Sequence, residues 1–362
     1  MIMLQKPFYD PEKTFEENYN NGPYGAFADG EIYENKGEPT QDFLGYKVYI
    51  PFGISAGPLY NGRFIKAALD KGFDIVTQKT VRTGKFPANP FPNILGLPNI
   101  KGDLSLTQAA KGVVAKNEYK EPLNVLNSFN NPSFDPEVWQ KDLRSVLSYL
   151  KKGQVLICSI EPLPNTNPEA FIEDWVRGAK LIKETGVEIV ELDTSCPNAG
   201  KSHLLCFDIP RMKRIVEKVR DEVGDVKLTI KLSYFEDDHT LDELIQAIGK
   251  NVDGIVAINT IPARIIDERG NLKLTTGGKI REVAGASGNS IRWLGLDMTK
   301  KLKALREKYN LNYKIIGVGG VTNAGHYQMY KKAGADAVLS AAAAIWNPYL
   351  AQEIKEAIKK GK

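Results

Sequence analysis

The stretch Val190-Glu191-Leu192-Asp193-Thr194-Ser195-Cys196-Pro197-Asn198-Ala199-Gly200-Lys201 runs from an apolar strand straight into a loop carrying a thiol, an amide and an ammonium. Such a change buries the strand and leaves the loop exposed at its C-terminal end, where α/β folds collect their reactive groups. Outward from it, short apolar runs recur at Ile50 to Ala56, Ile75 to Gln78, Val155 to Ile160, Ile189 to Leu192, Leu228 to Leu232, Gly254 to Asn259, Ile315 to Val318 and Ala337 to Ala341. These runs are continuous in hydrophobicity rather than alternating, the pattern of parallel strands buried on both faces. Helix-length segments with apolar spacing of three and four lie between most of them, as at Phe171, Trp175, Ala179 and Ile182. Thr240 with Glu243 offers a capping box. Asp135-Pro136-Glu137, Asn167-Pro168-Glu169 and Asn347-Pro348 each read as an N-cap followed by proline in the first turn. Eight strand and helix repeats predict an α/β fold of the (β/α)8 TIM-barrel type over residues 48–362.

A ninth apolar run, Leu123 to Ser128, lies in the unusually long interval between the second and third strands. Loops of that length in compact domains usually carry function, so residues 82–135 are read as an active-site insertion. Residues 1–47, rich in Asn, Gly, Pro, Tyr and acidic side chains and poor in periodicity, predict an irregular N-terminal arm. A doubly wound sheet is the competing architecture, but no G-x-G-x-x-G fingerprint follows the first strand.

At 362 residues, with 42% hydrophobic and 25% charged side chains, the chain is long enough to bury a sizeable core. Its net charge of +4 comes from 48 basic and 44 acidic residues spread along the chain, so no basic stripe marks a nucleic-acid surface and a small-molecule partner is expected. The three cysteines, Cys158, Cys196 and Cys206, are too few for a disulfide framework or zinc site and fit a reducing cytoplasm. The N-terminus meets a charge before any secretory apolar core, and no apolar run reaches membrane-spanning length, so no membrane partner is expected. His203, His239 and His326 show no ligand spacing, so no metal is expected either.

On the barrel reading, strand ends bring an ordered set of groups to one face: Gly57 and Pro58, Lys79 and Thr80, Asp193 to Asn198, Lys231, Asn259 and Thr260, and Gly319 with Gly320. Two lysines, several amides, a thiol and glycine N–H groups suit an anionic, heteroaromatic ligand. Cys158, inside a strand, and Cys206 read as buried apolar residues, and Asn130 and Asn131 as turn formers.

Here the chain resembles the dihydroorotate dehydrogenases, in order, from about Phe52 to Pro348. Thr194-Ser195-Cys196-Pro197-Asn198 is similar to the family's Asn-x-Ser-Cys-Pro-Asn loop, which implies Cys196 as the base beside a pyrimidine substrate and its flavin. Thr77-Gln78-Lys79-Thr80 followed by Asn89-Pro90-Phe91-Pro92 resembles the Thr-Lys-Ser element and its downstream Gly-Asn-Pro-x-Pro. Asn127-Ser128-Phe129-Asn130-Asn131 resembles the substrate-lining loop, Gly285-Ala286-Ser287-Gly288 with Ile291-Arg292 a glycine-rich cofactor loop, and Gly317-Val318-Gly319-Gly320-Val321 the phosphate turn. The resemblance implies FMN held by Ala56, Gly57, Lys79, Thr80, Asn127, Lys231, Asn259, Gly288, Gly319, Gly320, Ala341 and Ala342. It implies substrate contacts at Lys79, Asn127, Asp193, Asn198, Asn259 and Thr260. Physically, glycine N–H groups and the helix N-terminus near Thr322 suit a phosphate, and a lysine stabilises negative charge on a reduced ring. Cys196 would need a thiolate near neutral pKa, which Lys201 lowers toward that range.

The chain departs from the family in the interval from Ile94 to Pro122, longer than the family loop, and at two sets of site residues. Asp193 stands where relatives have asparagine, and an ionised carboxylate cannot donate a hydrogen bond. Ser340-Ala341-Ala342-Ala343 stands where they have Val-Gly-Thr-Ala, losing a glycine and a hydroxyl. The expected activity is FMN-dependent oxidation of dihydroorotate to orotate in pyrimidine biosynthesis. The alternatives are another dihydropyrimidine or cyclic enamide selected by Asp193, a Schiff-base lyase using Lys231 or Lys79, and a non-catalytic flavin-binding protein. A cytoplasmic homodimer is expected, with a separate electron-transfer subunit as an option; three scattered cysteines cannot ligate an iron–sulfur cluster here.

Overall fold

A computed structural model of the chain describes residues 4–195, 204–275, 278 and 280–361. A hairpin, β1 (Gln41–Phe43) and β2 (Tyr46–Val48), precedes β3 (Phe52–Ile54) and β4 (Ile75–Val81). Then come β5 (Ile94–Gly96), β6 (Val113–Val114) and β7 (Asn124–Asn127). The chain continues through β8 (Val155–Ile160), β9 (Ile189–Asp193), β10 (Lys227–Leu232) and β11 (Gly254–Ala257). It ends with β12 (Ile261–Ile266), β13 (Val283–Gly288), β14 (Lys314–Val318) and β15 (Ala337–Ser340). Strands β3, β4, β8, β9, β10, β11, β14 and β15 close into an eight-stranded barrel in that order, every neighbouring pair parallel. This is the (β/α)8 barrel expected from the eight apolar runs.

Closure depends on size as well as apolarity. At Gly53 a Cβ would lie 1.8 Å from the Ile75 carbonyl oxygen, so β3 and β4 approach closely only because the side chain is missing. Ile75, Ile157, Ile189, Val256, Ile316 and Leu339 fill the lower barrel, where Phe43, Leu44 and Val48 of the hairpin plug it. Each such side chain contributes roughly 1.5–3 kcal/mol on burial, so the hairpin seals the end remote from the reactive strand ends.

The Leu123 to Ser128 run is not a barrel strand. It forms β7 within a second, five-stranded sheet ordered β5, β7, β13, β12, β6. Two excursions build this sheet: β5, β6 and β7 come from the expected insertion, while β12 and β13 come from between β11 and β14. The second excursion escaped the sequence reading because β13, Val-Ala-Gly-Ala-Ser-Gly, has a glycine-rich composition that reads as a loop. Small residues are required there: a Cβ on Gly285 would lie 2.2 Å from Thr260 Oγ1, and one on Gly288 2.3 Å from the Leu123 carbonyl oxygen.

The arm holds local order that its composition did not signal. A helix spans Phe15–Asn21, with a capping box formed by Thr14 and Glu17. Tyr9 packs on Tyr60 and Phe129, and Phe15 on the same two rings, so the arm backs side chains that line the cleft. The helix Asp238–Ile248 starts earlier than the expected Thr240 box, because Asp237 accepts from the His239 and Thr240 N–H groups. Asn167 caps Pro168–Lys183 as expected, whereas Asp135 makes no side-chain cap bond and Asn347 bonds the Tyr349 N–H ahead of Leu350–Lys359.

Candidate active site

A bulge in β4 begins the site. Its register with β8 shifts between Gln78 and Val81, and the extra residue re-aims the strand. Lys79 and Thr80, which strict alternation would send to opposite faces, both reach the cleft at the C-terminal mouth of the barrel. That cleft encloses about 1010 Å³, part of it open to solvent, between the barrel mouth and the five-stranded sheet.

The structure brings every described residue on the expected lists to this one cleft. Ala56, Gly57, Lys79, Thr80, Asp193, Lys231, Asn259 and Thr260 come from the barrel side. Asn127 and Gly288 come from the second sheet, and Gly319, Gly320, Ala341 and Ala342 from the turns after β14 and β15. Cys196 and Asn198, together with Lys201, lie outside the described residues.

Along one wall the polar groups form a closed network. Asp193, 4% exposed, accepts from Thr80 Oγ1 at 2.8 Å, Asn131 Nδ2 at 3.3 Å and Asn259 Nδ2 at 3.1 Å. Asn131 Nδ2 also donates to Glu161 Oε2 at 2.8 Å, and its Oδ1 accepts from Lys79 Nζ at 3.2 Å. Asn259 Nδ2 reaches Ser195 O at 3.1 Å, and its Oδ1 accepts from the Thr260 N–H at 2.8 Å. Glu161 pairs with Arg82 at 3.0 Å; burial raises its carboxyl above the ordinary carboxylate range while Arg82 opposes the rise. Lys79 also sits 5.4 Å from the centre of the Phe129 ring.

Asn131 is the residue the sequence reading undervalued. Its backbone is left-handed, φ +44, as is that of Asn130, φ +68, so both are turn formers. The side chain of Asn131 nevertheless joins three ionisable groups. No local sequence signal separates an asparagine that only turns the chain from one that also bridges strands distant in sequence.

Beneath the wall lies a lysine and a buried acid. Lys231, 3% exposed, donates to the Ala56 carbonyl oxygen at 2.9 Å. Glu191, two residues before Asp193 and fully buried, has no close hydrogen-bond partner among the described residues at either carboxyl oxygen, with the Ser159 hydroxyl the polar group that favours its anion from nearby. Burial pushes this carboxyl up to about 7, with Lys231 pulling down and Asp193 pushing further up. Thr77 Oγ1 and Thr260 Oγ1 are likewise buried without a partner. Cys158 and Cys206 are fully buried; burial raises both thiols, Cys206 to about 12.

At the far end, Gly319 and Gly320 hold φ +126 and +64, and a Cβ on Gly320 would lie 2.7 Å from Arg292 Cβ. Tyr330 Oη pins the Gly319 carbonyl oxygen at 2.7 Å. His326 Nδ1 takes the Thr322 N–H at 3.3 Å, and burial lowers this imidazole to about 4, so near neutral pH it is an uncharged acceptor. Across the cleft, Gly57 has φ +144 with no atom within 4 Å of where a Cβ would stand. The site thus offers bare backbone at both ends and two buried lysines, a set that fits an anionic group joined to a flat polar ring.

Among the described residues, no helix is long and apolar enough to cross a membrane. In overall shape the chain is similar to a dihydroorotate dehydrogenase from Eimeria tenella solved with ferulenol, with a TM-score of 0.71 over 93% of this chain and 89% of that one. At 17% identity that likeness concerns the fold. In sequence, a dihydroorotate dehydrogenase of Dictyostelium discoideum is 31% identical over 97% of each chain. The catalytic subunit of the NAD(+)-linked dihydroorotate dehydrogenase B of Thermodesulfovibrio yellowstonii is 28% identical over 74% of this chain and 82% of its own length. The pattern describing dihydroorotate dehydrogenases matches residues 40–361, taking in the whole barrel and both excursions, and the chain therefore belongs to the dihydroorotate dehydrogenase family of oxidoreductases.

Proposed function

We propose that this protein oxidises dihydroorotate to orotate with FMN as its resident cofactor and Cys196 as the base. The observation that carries the reading is the convergence of Lys79, Lys231, Asn127, Thr260 and the Gly319–Gly320 turn on one cleft. Members of the family are flavoproteins. The residues here suit FMN: the Gly319–Gly320 backbone with Thr322, Ala341 and Ala342 for the phosphate, and Ala56, Gly57, Thr80, Asn127, Lys231, Asn259 and Gly288 along the ring system. When bound, FMN supplies the hydride acceptor. Loss of the family glycine and threonine at Ala341 and Ala342 leaves backbone N–H groups for the phosphate there.

The chain's own residues do the rest. Lys79 and Lys231, themselves buried, place positive charge where negative charge develops. Asn127, whose Nδ2 reaches only the Gly285 carbonyl oxygen, at 3.5 Å, among the described residues, has hydrogen-bonding capacity left for a substrate carbonyl. Cys196 Sγ removes the proton from the ring carbon next to the carbonyl. Ser195, the neighbour of Cys196, is fixed by its hydroxyl on the Lys231 carbonyl oxygen at 2.9 Å, which anchors the start of the loop at the cleft. We further propose a cytoplasmic homodimer, with transfer of electrons to a separate subunit as the alternative assembly.

The test is an absorption spectrum of the purified protein before and after anaerobic addition of dihydroorotate. Bleaching of a visible flavin band is expected, and a colourless protein, or a flavin that dihydroorotate leaves oxidised, refutes the proposal. Cys196→Ala should keep the colour and lose turnover; unchanged turnover removes the proposed base.

A further inference from the structure

The Asp193 wall has spent nearly all its hydrogens inward. Both Nδ2 hydrogens of Asn131 go to Glu161 and Asp193, and both of Asn259 go to Asp193 and Ser195. The single hydroxyl hydrogen of Thr80 is drawn to the carboxylate at 2.8 Å. An ionised carboxylate accepts and never donates, so it dictates which way each amide faces. Asn131 must turn its carbonyl oxygen to Lys79, and Asn259 must turn its own to the Thr260 N–H.

Resting on the proposed function, we propose that Asp193 is a positioning residue that fixes Asn131, Asn259 and through them Lys79, and that beside Lys79 it makes the Asp193, Asn131 and Asn259 stretch of this wall accept hydrogen bonds only. A carboxylate has about four lone-pair sites, and three donors occupy Asp193. The wall therefore meets the N–H edge of a ureide ring. Ring carbonyls and the carboxylate of a dihydropyrimidine are directed instead to Lys79 and Asn127.

Asparagine at this position reverses the logic. Whichever oxygen of Asp193 becomes an NH2 group faces another NH2, that of Asn259 on one side or Asn131 on the other. One amide must turn over, either withdrawing the Asn131 oxygen from Lys79 or the Asn259 oxygen from Thr260, so the variant wall gains an NH2 donor and no longer only accepts.

The experiment measures dissociation constants of orotate, 1-methylorotate and 3-methylorotate for the flavin-loaded protein and for Asp193→Asn, from the perturbation of the flavin spectrum. One charge-assisted N–H bond implies that the parent protein rejects at least one methylated ring by about tenfold or more. Asp193→Asn should bring that ratio to within about threefold of unity. Equal binding of all three rings by the parent protein overturns the inference without any variant. A ratio that persists in Asp193→Asn also overturns it, since the rejection is then steric. A ligand-free readout separates this inference from the dihydroorotate reading: Asp193→Asn and Asn131→Ala, singly and together, in denaturant unfolding. Non-additivity of about threefold or more in the unfolding constant supports the network even if no orotate binds, and strict additivity overturns it.

Discussion

Glu191→Gln should flatten the pH dependence of stability. The parent carboxyl is fully buried, and burial raises it from 4.5 to about 7 against the opposing pull of Lys231 and the Ser159 hydroxyl. Between those two values the native state keeps a proton that the unfolded chain has released. Stability conferred by the neutral carboxyl is therefore complete below pH 4.5 and is lost as pH rises through 7. A rise of 2.5 pK units, from 4.5 to 7, corresponds to about 3 kcal/mol at 1.36 kcal/mol per unit. With an unfolding entropy of about 2.1 cal/mol/K per residue over 362 residues, that is about 4 °C in melting temperature. Glutamine keeps the shape and removes the ionisation. Melting curves of the two proteins from pH 4.5 to 8.5 should separate progressively, the variant gaining about 4 °C relative to the parent by the alkaline end. Lys231, which favours the anion, and Asp193, which opposes it, are present in both proteins and leave the difference to Glu191. Parallel curves would show that Glu191 ionises in the native state as it does in water and that the barrel centre does not hold it neutral.

Lys355→Met should destabilise the protein by about 3–5 kcal/mol in chemical denaturation, because it strands a buried carboxylate. Lys355 Nζ lies 2.7 Å from each of Asp74 Oδ1, the Gly72 carbonyl oxygen and Asn35 Oδ1, and the two charged side chains are 4% and 0% exposed. Gly320→Ala should lower flavin content per chain after dialysis by about tenfold or more, since a left-handed alanine costs roughly 1–2 kcal/mol before any clash. The added methyl would also stand 2.9 Å from the Gly288 carbonyl oxygen, so full retention of flavin would show that this turn does not hold the cofactor.

Much of the barrel was legible because its strands are buried on both faces, and burial leaves a mark on each strand independently of its neighbours. Each of the eight runs from Ile50 to Ala341 coincides with a barrel strand, and the reactive residues at their ends needed only strand direction to be assigned to one mouth. The second sheet was not legible. Its strands β6 and β12 lie far apart in the chain, and β13 is held by backbone proximity that demands glycine rather than by apolar side chains. The β4 bulge was equally hidden, although it explains how adjacent residues Lys79 and Thr80 serve one cleft.

Asp193 shows where the division falls. Its carboxylate could be read as a departure from the family and as a group unable to donate, since charge and donor count belong to the residue itself. That it faces Thr80, Asn131 and Asn259 follows only once β4, the turn before Pro136–Leu147, β9 and the end of β11 are folded around the same mouth. Hydrogen-bond partnership is a property of position in space. Directly bonded residues up to 113 places apart meet in this network, and no periodicity along the chain records such a meeting.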